Sequence, residues 1–257
     1  MQLRKIVIAL LLALPFYPFS QTNDGTLDFD GSNDYIDVGN FNVSGSNITL
    51  EAWVKPSSYP DDPRVISKAH GTPTNDHIWL LGFNDQNSSS AKLRFRLKTG
   101  STTTNLETSA TYGTGSWIHI AATYDGSTMK IFYNGSQVAS TSKSGNIATA
   151  SDDVWIGANP SGAGHRPFDG LIDEVRVWGR ALTASEIQDR MDQSITSSDT
   201  YWGDLVSYWK FEEGSGQTAG DSKGSNDGTL GSSGSADGND PSWDTDTPFE
   251  GSDPLTG

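Results

Sequence analysis

FDGLIDEVRVWGRALTASEI, running from Phe168 to Ile187, is the stretch on which the fold turns. In its first half, Leu171, Asp173, Val175 and Val177 alternate with Ile172, Glu174, Arg176 and Trp178, the period of a strand lying between a core and a wetter face. The second half reads as a helix that starts at once. Thr183 can accept a backbone N–H as N-cap, Glu186 stands three residues on to complete a capping box, and Leu182 is placed to pack back as a staple. The sequence therefore predicts a buried strand running into one short helix over 183–193.

Outward from this stretch the chain is almost entirely β. Between Trp117 and Ser140, IHIAATY, MKIFY and SQVAS are joined by Asp125-Gly126 and Asn134-Gly135, short turns whose residues tolerate positive φ. Further strands are expected at 27–29, 35–38, 48–55, 65–68, 78–83, 92–99, 154–156 and 205–211. Many short strands at this spacing imply an all-β, two-sheet antiparallel sandwich.

The Phe168–Ile187 segment resembles the signature of the bacterial LamG-like (laminin-G-type, concanavalin A-like) jelly-roll family. Four other segments carry the same resemblance in the family's order: LDFDGSNDYIDVG (27–39), ITLEAWVKP (48–56), WIHIAATYDGSTMKIFYNGSQVAS (117–140) and LVSYWKFEEGSG (205–216). The resemblance implies a jelly-roll sandwich. It leaves activity open, because the family includes binding modules, adhesion domains and appendages of enzymes.

The N-terminus reads as an export leader over residues 1–20: Arg4 and Lys5, an apolar run from Ile6 to about Phe16, then turn-forming and small residues up to Ser20. That run is too short to span a bilayer. A secreted or cell-surface protein starting at Gln21 is expected, with one domain over 21–250 and a flexible tail over 251–257. There is no Cys, which suits a bacterial exported domain better than a disulfide-stapled one. Loss of Arg4 and Lys5 with the leader leaves 15 bases against 32 acids, a net charge of −17 that disfavours nucleic acid and anionic membrane as partners. A monomer is expected. NDGTL occurs twice, at 23–27 and 226–230. The second copy is read as the closing arm of the same domain, followed by a long Gly/Ser/Asp loop at 231–240, with Trp243 pinning the tail.

Three chemistries are legible. In LDFDGSNDYID the turn draws Asn33 and Asp34 towards Asp30, an oxygen-rich arrangement suited to calcium, with one distant carboxylate needed to complete it. The family resemblance supports a structural Ca2+ on Asp30, Asn33, Asp34 and Asp173; the alternative is that Asp30 and Asp34 cap the turn through local bonds. Asp237, Asn239, Asp240, Asp244 and Asp246 are either a second site or a disordered acidic arm. In KLRFRLK, inward Leu93, Phe95 and Leu97 push Lys92, Arg94, Arg96 and Lys98 onto one face, where Arg94 and Arg96 could grip carboxylate or sulfate, or else meet neighbouring acids. Flat rings and polar tips on loops suit sugar, which selects Tyr59, His77, Trp79, His165 and Arg166 as ligand-binding candidates. Trp53, Trp117, Trp155, Trp178 and Trp209 are assigned to packing.

No paired-carboxylate hydrolase pattern surrounds Asp173, and no nucleophile elbow, zinc pair or Walker loop occurs, so no enzyme is expected. The combined expectation is a calcium-stabilised, non-catalytic carbohydrate-binding module, with anionic polysaccharide as a candidate ligand. The alternatives are an adhesion domain contacting other extracellular proteins, and an accessory module of a polysaccharide-degrading enzyme.

Overall fold

The computed structural model describes residues 25–249; the leader read at 1–20 and the tail read at 251–257 lie outside them. Two antiparallel sheets stack face to face, as expected of a jelly-roll sandwich. In the first sheet the order is Ser136–Ser142, Thr128–Tyr133, Ile118–Tyr124, Ile48–Ser58, Asp169–Trp178, Thr26–Asp30 and Ser242–Asp244, with Leu205–Trp209 also paired to Asp169–Trp178. In the second it is Thr218–Ala219, Gly228–Leu230, Ile36–Asp37, Val154–Ile156, Arg64–Ala69, His77–Asn87, Ser90–Thr99 and Thr102–Glu107, with Tyr112–Gly113 joining Ser90–Thr99.

Apolar residues from the inner faces fill the space between: Leu27, Phe29, Leu50, Val54, Leu81, Phe83, Leu93, Phe95, Ile120, Ile131, Ile156 and Ile172 are all fully buried. Asp169–Trp178 runs through the middle of the first sheet, but its alternation is not strict. The ladder with Ile48–Ser58 shifts between Asp173 and Arg176, and Glu174 takes φ +53°, so the strand carries a bulge. Ile172, Val175 and Val177 therefore share the main core, while Trp178 turns to the opposite face. That face is not wet. The helix Ala184–Gln188 and the turns after it cover it with a second small core of Phe132, Trp178, Leu182, Ile187, Ile195, Leu205 and Tyr208.

The helix has the expected capping box, with Glu186 N–H donating to Thr183 Oγ1 at 3.3 Å and Thr183 N–H to Glu186 Oε2 at 2.7 Å. It is shorter than the sequence suggests, ending at Gln188, and the chain continues as turns. At the Asn134-Gly135 hairpin both residues have positive φ, 45° and 72°, the two-residue geometry that matches strand twist.

The second NDGTL copy ends in Gly228–Leu230, a strand of the second sheet, and Trp243 lies on Ser242–Asp244, which pairs with Thr26–Asp30. The acidic arm is thus ordered, against the disordered alternative, because backbone pairing and local caps hold it. Asp237 accepts from Asn239 N–H, Asp240 from Asp237 N–H, and Asp244 from the N–H groups of Thr245 and Asp246. Among the described residues no helix is long and apolar enough to cross a membrane.

Candidate functional site

The outer face of the second sheet carries the site. In the three-residue strand Val154–Ile156, Val154 and Ile156 enter the core, so alternation sends Trp155 outward. Its register partners are Asp37 on one side and Ser67 on the other. Tyr35, just ahead of Ile36–Asp37, lies flat on the Trp155 indole, with ring centroids 3.8 Å apart and planes 9° from parallel. His165 meets both rings edge-on, at 6.0 Å and 6.3 Å.

His165 comes from the loop GANPSGAGHRPF (157–168), which is braced on all sides. Gly157 N–H donates to Val65 O, Phe168 N–H to Gly157 O, and Asn159 N–H to His165 O at 2.6 Å. Asn159, almost fully buried, donates through its amide to Ala163 O and Gly164 O and accepts from Ser67 Oγ and Arg64 Nε. Gly157 is obligatory: φ is +83°, and a Cβ would stand 2.2 Å from the Phe29 ring. The opposite wall comes from the acidic arm. Asn33 donates to Gly238 O and to Asn239 Oδ1, Tyr35 N–H to Asn239 O, and Gly231 N–H to Tyr35 O.

These pieces enclose a cavity of about 380 Å³ lined chiefly by Tyr35, Trp155, His165, Asn33, Asn159 and Asn239, at the small end of ligand pockets. Burial lowers the His165 pKa, partly offset by a hydrogen bond to the Asn33 backbone, so the ring is neutral at pH 7. Burial raises the Tyr35 phenol, with the negative field of Asp37, Asp237 and Asp240 adding to it.

Of the residues selected by sequence, Asn33 and His165 reach this cavity. Tyr59 does not: it is buried against Phe83, its hydroxyl donating to Gly113 O. Trp79 faces inward and is fully buried near Phe41. His77 is buried, and desolvation followed by the nearby Arg96 and Arg64 pulls its pKa down to about 4. Tyr59 and Trp79 belong to the main core, whose need for large side chains outweighs any rim position. Arg94 does emerge on the outer face but is 5% exposed and held by Asp62 at 2.9 Å and Glu107 at 3.0 Å. Arg96 donates to Asn105 Oδ1, and Arg166 pairs with Asp61. Arg94 and Arg166 therefore meet neighbouring acids, and Arg96 a neighbouring amide. Tyr35, Trp155 and Asn159 were missed as site residues, Trp155 because a Trp between Val and Ile reads as core, and Asn239 was read only as part of the acidic arm.

The expected calcium ligands do not converge as one set. Asp30 is register-paired with Asp169, and Asp173 lies four residues further along that strand, roughly 13 Å at strand rise. Asp173 is instead fully buried in the bulge, accepting from Glu174 N–H. Asp30 Oδ1 accepts from Ser32 and Asn33 N–H and Asp34 Oδ2 accepts from Asp30 N–H, as in a locally capped turn. Among the described residues no group of three or more His, Cys, Asp or Glu side chains is arranged to hold a metal. The four-residue site as expected therefore does not fit. Asp37, Asp153 and Asp227 line a second cavity, about 440 Å³, without forming such a group.

The fold and its shaped outer face define a concanavalin A-like module, and the sequence assigns it further. The chain belongs to the concanavalin A-like lectin/glucanases superfamily, whose laminin-G-type family model matches residues 30–188. It is similar to pappalysin-1 of Mus musculus, 29% identical over 154 residues that make up 56% of this chain and 10% of that protein. It is also similar to adhesion G-protein coupled receptor V1 of Danio rerio, 26% identical over 58% of this chain and 2% of that one. The chain thus spans a tenth or less of the length of these curated relatives. Among solved structures, a Bacteroides ovatus protein whose suggested role is carbohydrate binding superposes with TM-score 0.67 at 23% identity, covering 86% of this chain and 60% of the other. A SAP-like pentraxin of Limulus polyphemus gives TM-score 0.53 at 17% identity, over 81% and 95%. At these identities the structural likeness speaks to the fold alone.

Proposed function

We propose that this chain is a secreted, non-catalytic glycan-binding module whose site is the Tyr35–Trp155–His165 pocket. The observation that carries the reading is the flat aromatic stack set in a braced, polar-walled cavity on the outer face of a sheet. Aromatic faces match the C–H faces of a sugar ring, and nearby amides and imidazole match its hydroxyls. The suggested carbohydrate-binding role of the Bacteroides ovatus protein agrees with it. No Asp or Glu is among the residues lining the pocket, which supports binding without hydrolysis. An adhesion surface has less support, because Val138 alone among the described residues is an exposed large hydrophobic.

Affinity electrophoresis through gels containing neutral, uronic and sulfated polysaccharides tests the reading, with calorimetry on oligosaccharides of any class that retards the protein. Trp155→Ala and Tyr35→Ala are each expected to weaken binding at least about tenfold, the scale of an aromatic anchor. Retardation by no class, or unchanged affinity in both variants, would remove the pocket as a glycan site. Calcium enters this proposal only as a stabiliser at the turn of Asp30, Asn33 and Asp34, without Asp173.

A further inference from the structure

Resting on the glycan-binding reading, we propose that the pocket selects an uncharged, hydroxyl-bearing sugar residue and discriminates against uronate, sialate and sulfate. Two polar atoms of the pocket rings are left without partners, Trp155 Nε1 and His165 Nε2, and the Trp155 side chain that carries the first is 9% exposed. The indole N–H can only donate, and the imidazole, whose pKa burial lowers, brings no positive charge.

A sugar hydroxyl both gives and takes a hydrogen bond, so it suits the indole donor and an uncharged imidazole alike. A carboxylate or sulfate ester brings a charge, and no Lys or Arg is among the residues lining the pocket to meet it.

Electrostatics points the same way. Asp37, Asp237 and Asp240 bear on Tyr35, and Asp30 bears on His165. The cations that could neutralise an anion are turned elsewhere: Arg166 to Asp61, Arg94 to Asp62 and Glu107, and Arg64 into the brace on Asn159. Asn159 also has both amide hydrogens committed to the loop, so it shapes the site rather than reading the ligand.

The test compares neutral glucans, mannans and arabinans with polyuronates and sulfated galactans at low ionic strength, where any attraction between protein and polyanion would be strongest. Retardation by a neutral class with none by the anionic ones is expected. Trp155→Phe keeps an aromatic ring and loses the N–H; His165→Phe keeps an aromatic ring and loses both imidazole nitrogens. Each should weaken neutral-sugar binding roughly two- to tenfold, as for one hydrogen bond. Folding of both variants is checked by near-UV circular dichroism and thermal unfolding. Binding of an anionic class in preference to neutral ones would overturn the selectivity and leave the glycan reading standing. Binding of no class would overturn both. Unchanged affinity in both Phe variants would overturn the part assigned to these two ring nitrogens.

Discussion

Asp34 is where the calcium expectation and the pH dependence of stability meet. It is 4% exposed, and burial, with the charges of Asp30, Asp240 and Asp28 adding and the Asp30 N–H opposing, raises its pKa to about 6 from 3.8. The folded state therefore holds a proton there between pH 4 and 6 that the unfolded chain has released. The associated stability is complete below the unfolded value and is lost as pH rises through about 6. At neutral pH the charged form costs up to about 3 kcal/mol. Asp34→Asn keeps an acceptor for Asp30 N–H and removes the charge, so in calcium-free buffer at pH 7.5 it should unfold at higher temperature than the parent. Millimolar calcium should close that gap by stabilising only the parent; a gap indifferent to calcium and chelator would leave the turn as a cap and nothing more. The turn itself was legible in FDGSND, because Asp and Asn bond their own backbone two or three residues on. What could not be read was the partner across the sheet: the bulge in Asp169–Trp178 and the antiparallel register place Asp169, not Asp173, beside Asp30.

At the scale of elements, most strands could be read in advance because inner-face residues of a sandwich recur with period two. Thr102–Glu107 was missed because TTTNLE offers a single buried apolar residue, and it is a strand only because Ser90–Thr99 presents a free edge to it. The helix was overestimated for the opposite reason: a strong start signal says nothing about where packing stops. Its capping box sits on the cover of the second core, where Leu182 and Ile187 are both buried. Thr183→Ala removes one half of the box and should cost about 1 kcal/mol. In a domain of this size that is a fall of roughly 2–4 °C in unfolding temperature, with glycan binding unchanged because the helix lies on the other sheet. A loss of binding in this variant would mean that the two outer faces are coupled. The pocket was the least legible feature, since its walls come from three separate stretches, near residues 33–35, 155–165 and 239, and no local pattern joins them. Within that set Asn33, read as a calcium ligand, and His165, on a glycine-rich loop, were the residues with a visible cue.

Across the whole molecule, acid stability follows from groups the two cores have desolvated. His77, beside the outer face of the second sheet, has a pKa of about 4, with burial the main cause and Arg96 and Arg64 adding. His119, under the helix, is lowered to about 3 by burial and by Arg176. Both folded values lie below the unfolded 6.5, so the unfolded chain takes up these protons first and the stability they supply above pH 6.5 is lost as pH falls towards 3–4. Asp34 acts in the reverse sense over part of the same range, gaining as its carboxyl is protonated. Between pH 7 and 5 the two imidazoles together lose about 4 kcal/mol and Asp34 returns about 1.4, for a net loss of about 2–3 kcal/mol, a large share of a typical domain's margin. Urea unfolding at the two pH values measures this directly. His119→Asn should remove roughly three quarters of that net slope, since Asn does not titrate and the remaining imidazole is largely offset by Asp34, whatever the change does to stability at pH 7. Stability that rises on going from pH 7 to 5 would mean that one of the imidazoles is already charged in the folded protein, with Glu51, 3.6 Å from His119, as the counter-ion.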